Sequence, residues 1–187
     1  MNTKNDSFIK GYLKVTKFLY RLTKYATFIA YIGTTLIAFF VATMLFSEMG
    51  EKTILAAARL GIHKNNYSAF NFKLINFSFS TQFIFIAVTN TLLITNLNQI
   101  LKNVMEQKPF IYQNANRIRM MGWLLLVQAL IGYIYDFIQD LVLLKHRVSF
   151  ELLYSEVPLL LFGVCLLILS GVFRYGCYLQ EEYDAIL

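Results

Sequence analysis

Between Lys24 and Glu48 no residue carries a charge, and the same is true between Lys73 and Lys102 and between Glu156 and Arg174. A fourth apolar stretch, between Arg119 and Lys145, is broken only by Asp136 and Asp140. A bilayer crossing needs about 20 consecutive, mostly apolar residues. Four stretches of this length leave little choice of fold. The chain is 57% hydrophobic and only 15% charged, against about a quarter charged in ordinary soluble domains. The expected fold is an all-α integral membrane protein, a four-helix transmembrane bundle in one domain over residues 1–187. The spans fall at Tyr25–Phe46, Ser80–Leu101, Met120–Leu144 and Val157–Tyr178. Pro158 then occupies a tolerated first-turn position.

Four crossings put both chain ends on one side, and lysine and arginine choose that side. Lys4, Lys10, Lys14, Lys17, Arg21 and Lys24 precede the first span, and Lys102, Lys108, Arg117 and Arg119 lie in the hairpin 102–119. Fewer cations fall in the loops 47–79 and 145–156, so the ends are expected on the cytoplasmic side. The first apolar run is too long for a cleavable signal peptide.

Lys10, Lys14, Lys17, Arg21 and Lys24 are spaced 4, 3, 4 and 3, which puts them on one stripe of a helix. Apolar residues fill much of the remainder. Residues 1–24 therefore read as a basic interfacial helix on the inner leaflet that anchors the topology. Interleaved Leu, Ile and Tyr suit a bilayer better than phosphates, so direct nucleic-acid contact is not expected. Two outer segments, YSAFNFKLINFSFS and RVSFELLYSE, alternate aromatic or apolar with polar residues. Period-two alternation predicts short strands in a small outer cap, and an aromatic collar at the interface is the plainer reading.

Asp136 is sixteen residues past Met120, so it lies roughly 24 Å along a helix crossing about 30 Å of hydrocarbon. Asp140 is one turn further, near the outer edge. A structural tie to outer cations such as Lys73, Lys145, His146 or Arg147 outweighs an ion or proton site there. A metal held with His63 or His146 lacks any spacing motif. Asn90 and Gln128 fall at similar depth on adjacent spans, with Thr34 and Ser170 near the same level, and read as interhelical hydrogen-bonding groups. Cys165 and Cys177 lie roughly 18 Å apart on one helix and cannot form a disulfide. No HExxH, GxSxG or P-loop pattern is present, so neither a catalytic set, a cofactor nor a metal is expected.

Two short stretches are more specific. Pro109, Phe110, Asn114, Arg117 and Gly122 make a PF…N..R…G pattern, and Phe173, Gly176, Leu179, Glu182 and Asp184 make a terminal F..G..L..E.D pattern. Together they resemble a bacterial family of four-helix integral membrane proteins known only as domain of unknown function 2975. The resemblance spans the four helices, but only these two patterns are specific to it. It implies no enzyme activity or cofactor, and a membrane component working with a small cytoplasmic helix-turn-helix regulator. The basic N-terminal segment and the long outer loop belong to neither pattern.

The reading that follows is a non-enzymatic regulatory or sensory membrane protein. Its partner-binding inner face would comprise Phe110, Asn114, Arg117, Arg119, Glu181, Glu182 and Asp184, with the tail 179–187 ordered by Arg–acid pairing. The alternative is a small transporter, channel or immunity-type protein using Asp136, Asp140, Asn90 and Gln128. A homo-oligomer is compatible with either.

Overall fold

The structure, a computed structural model, describes residues 3–46, 69–142 and 151–186. They form four helices: α1 Thr3–Phe46, α2 Ala69–Met105, α3 Tyr112–Val142 and α4 Glu151–Ile186. Each is long and apolar enough to cross a membrane. Hydrocarbon offers no hydrogen bonds, so the backbone must satisfy itself, and a helix does this within one segment.

Each helix also extends beyond its expected span at one end or both. The residues from Ala69 through Phe79, expected as a strand, are the first turns of α2, and the outer segment from Glu151 onward belongs to α4. No strand occurs among the described residues. The alternating aromatics serve a helix equally well, because Phe70, Leu74 and Phe77 also recur at helical spacing. The remaining parts of the expected cap, 47–68 and 143–150, lie outside the described residues. The basic segment and the first span are one helix, since α1 is continuous from Thr3. No Gly or Pro occurs between Gly11 and Gly33 to interrupt it. Pro158 proves to be inside α4, not in its first turn, so the Tyr154 carbonyl lacks the usual N–H donor. The tail is likewise helical to Ile186.

Neighbours in sequence are antiparallel neighbours in space. Thr23 bonds Asn98 and Thr34 bonds Thr91, so α1 and α2 run in opposite directions. Thr81 meets Tyr135 and Asn103 meets Asn114, which orients α2 against α3 in the same way. α3 packs on α4, and the pairs not adjacent in sequence barely touch. The bundle is therefore an open row in chain order. Both chain ends lie on one side of it, called here the terminal face. Within its apolar span α3 is 28% buried and α1 only 6%, so α3 is the pivot and α1 an edge. Phe28, Leu36 and Phe39 of α1 and Leu161, Phe162 and Ile168 of α4 are exposed, as lipid-facing side chains are.

The turn between α2 and α3 is shorter than the expected hairpin. The Gln107 N–H donates to the Val104 carbonyl at 3.1 Å, and the Lys108 N–H to the Asn103 carbonyl at 2.9 Å. This is a Schellman stop, and it ends α2 before Pro109 can. Gln107 occupies its left-handed position with φ 59°. A side chain there costs roughly 1–2 kcal/mol that glycine avoids. Gln107→Gly should therefore raise thermal stability in detergent by about 1 kcal/mol. A lower melting temperature would show that the Gln107 side chain stabilises the turn.

Candidate functional site

The residues of the two sequence patterns converge on the terminal face of α3 and α4. The Phe110 ring lies 5.5 Å, centroid to centroid, from that of Phe173. It covers Gly176 so closely that a Cβ there would be 2.9 Å from a ring carbon. Gly176 is thus the hole into which Phe110 fits. Deeper in the membrane, Gly122 and Gly163 let the two backbones approach. A Cβ on Gly122 would lie 3.0 Å from the Gly163 carbonyl, and one on Gly163 would lie 3.1 Å from the Gly122 carbonyl. Small residues at a crossing permit this close packing in lipid.

Asn114 holds the turn. Its side chain is fully buried. The Asn114 Oδ1 accepts from Asn103 Nδ2 at 2.7 Å and from Arg117 Nη1 at 3.4 Å. Its Nδ2 donates to the Pro109 carbonyl at 3.0 Å and to the Lys108 carbonyl at 3.4 Å. One amide thereby ties the end of α2, the turn and the start of α3. Asn114, expected on the inner surface, is therefore buried beneath it, with its amide bonded within the turn.

Tyr112 then joins the tail. Its hydroxyl donates to Glu181 Oε2 at 3.1 Å. The expected pairing of Arg117 and Arg119 with Glu181, Glu182 and Asp184 does not occur among the described residues, since Arg117 is turned toward Asn114 and Arg119 is exposed. The ion pair present on this face is Lys102 with Glu106, at 4.0 Å on one helix surface. α4 continues past Glu181 for about 7 Å beyond the start of α3. Glu181, Glu182 and Asp184 are exposed on that projection, with Phe110 half-exposed beside it.

The polar groups within the spans divide differently from expectation. Gln128 is met by Thr89, whose hydroxyl donates to Gln128 Oε1 at 3.0 Å, and not by Asn90. Successive helix residues point about 100° apart, so α2 can turn Thr89 toward α3 and Thr91 toward α1 only by turning Asn90 away. Asn90 is exposed. Thr34 shares a 2.7 Å hydrogen bond with Thr91, and Ser170 donates to its own helix at the Leu167 carbonyl, also at 2.7 Å. The bonds that cross between helices contribute about 0.6–2 kcal/mol each.

Asp136 is partly buried near the opposite face. It is close enough to Glu156 of α4 for the two carboxylates to interact. Glu156 packs its carboxylate against Gly132, one turn before Asp136, where a Cβ would sit 2.9 Å from it. The side chain of Asp140 and residues Lys145, His146 and Arg147 lie outside the described residues, as do Lys73's side chain and His63. No group of three or more metal-ligating side chains occurs among the described residues. Cys177 is buried against the α3 side and Cys165 is exposed.

Sequence reasoning missed Tyr112, Asn103, Thr89, Gly163 and Glu156. The signals for two of these were visible. Gly163 is a glycine in an apolar run of bulky residues, and Gly132 stands one helical turn before Asp136, leaving room for a facing side chain. The arrangement offers recognition chemistry: exposed carboxylates and an aromatic on a rigidly tied helix end.

These features define a four-helix, multi-pass membrane protein with a built terminal face. Comparison with protein-family models, curated proteins and solved structures finds no match to the chain. The likeness to a family accordingly rests on the two motif patterns.

Proposed function

We propose that this chain is a non-enzymatic regulatory protein of a bacterial inner membrane, with both ends cytoplasmic, that docks a cytoplasmic partner on its terminal face. The observation that carries the proposal is the α4 end. It is held by Phe110 and Tyr112, yet presents Glu181, Glu182 and Asp184 to solvent. Exposed charges add little to stability, about 0–1 kcal/mol even when paired. A rigid acidic projection is better accounted for by recognition. Its charge complements a basic surface such as the DNA-binding face of a small helix-turn-helix regulator. The excess of lysine and arginine on this face supports its cytoplasmic orientation.

A small transporter, channel or immunity-type protein is the alternative. Gln128 and Thr34 are each bonded to a neighbouring helix, as packing groups are, and this favours the regulatory reading. The test is recovery of the partner from native membranes solubilised in mild detergent. Glu182→Lys combined with Asp184→Lys should reduce partner recovery about tenfold and leave membrane insertion intact. Equal recovery with the double variant would remove the acidic projection from the docking surface.

A further inference from the structure

Asn90 lies ten residues into the apolar span that begins at Ser80, so about 15 Å along a core about 30 Å thick. It is exposed at this mid-bilayer depth and forms no hydrogen bond among the described residues. Its neighbours Thr89 and Thr91 are both engaged, with Gln128 and Thr34. A carboxamide carries two donors and an acceptor, and lipid tails satisfy none of them. Something else must meet this group.

We propose that two copies of this chain pair through the face of α2 centred on Asn90. A carboxamide complements a second carboxamide related by a two-fold axis, each donating to the oxygen of the other. Copies in one membrane share an orientation, so the axis runs along the bilayer normal and the two α2 helices are parallel. Each residue then meets its own counterpart. Phe83 and Leu97, each seven residues from Asn90, are 60% and 40% exposed. A seven-residue repeat of outward side chains is the seam of a left-handed parallel pair, and a single polar residue in such a seam fixes register and orientation. The open row leaves this face uncovered, since α1 and α3 flank α2 without closing over it. An unrelated partner would need a matching polar group at the same depth. A second copy supplies one by symmetry.

The test uses the full chain in mild detergent, with molar mass from light scattering across a concentration series. The wild type should be dimeric. Asn90→Leu should weaken the dimer roughly 3- to 30-fold, the range of membrane interhelical hydrogen bonds, while Asn90→Gln keeps it. Helix content and melting of the monomer should not change in Asn90→Leu, because no bond within the chain is lost. A second measurement is oxidative cross-linking in native membranes with exposed Cys165 replaced by alanine. Phe83→Cys and Leu97→Cys should give covalent dimers. Val88→Cys, 42% exposed but on the reverse side of α2, should not. A monomeric wild type, an Asn90→Leu protein that dimerises equally, or cross-linking from position 88 as efficient as from 83 would each overturn the pairing.

Discussion

Gly163→Leu should separate α3 from α4 and destabilise the protein by about 3 kcal/mol, read as a lower melting temperature in detergent. A Cβ at Gly163 would meet Leu126 Cδ2 at 2.9 Å and the Gly122 carbonyl at 3.1 Å. The leucine end can rotate away, but the carbonyl is backbone inside a helix and cannot. The helices must therefore move apart, and each loses packing along its length. Gly163→Ala should cost less, because it brings only the Cβ into the crossing, where leucine adds three further carbons, and both substitutions gain similar helix propensity over glycine, up to roughly 1 kcal/mol. Gly171 provides the control. Nothing lies within 4 Å of a Cβ there, so Gly171→Ala should be neutral or stabilising by up to about 1 kcal/mol. If Gly163→Leu melted like the wild type, the close crossing of α3 and α4 would be wrong.

Asn114→Ala should be nearly as damaging, at about 2–4 kcal/mol. It strands the part-buried Asn103 amide and two turn carbonyls at once, and a group left without its partner away from water loses about 1–3 kcal/mol. Asn103→Ala removes only one of the bonds and should cost about 1 kcal/mol. The two substitutions share a hydrogen bond, so their effects should sum to more than the double variant shows, and that coupling can be measured in a double-mutant cycle. Additive effects would mean that Asn103 and Asn114 do not form the clasp. Beyond stability, loosening this turn should free Phe110 and Tyr112 from α4 and disorder the terminal face that they hold.

The helices were legible in the sequence because hydropathy over about 20 residues reports directly on the cost of exposing backbone to lipid. Helix ends were not. Gln107 ends α2 in a conformation usually given to glycine, and nothing in its identity announces that. The strands expected near Phe70 and Phe77 failed because an alternating aromatic segment satisfies both periodicities, and a helix already under way in the membrane continues at no added nucleation cost. The site was legible as a set of residues and not as a set of roles. Phe110, Gly176 and Gly122 do meet the opposite helix, whereas Asn114 turns inward and Arg117 follows it. The pairing of Tyr112 with Glu181 depends on the relative height of two helices, which only packing fixes. Asn90 and Gln128 share a depth, but a rotation of one residue gives Gln128 to Thr89.

The central claim is that the acidic end of α4 contacts a cytoplasmic partner. The most direct test is photo-cross-linking in living cells, with a photoreactive amino acid at Asp184 in the full chain and another at Phe137, on the lipid-exposed surface of α3 near the opposite face. The account predicts a discrete adduct with one cytoplasmic protein from position 184, lost when Glu182 is changed to lysine, and none with that protein from position 137. Absence of any protein adduct at 184, with the probe incorporated and the chain inserted, would contradict it.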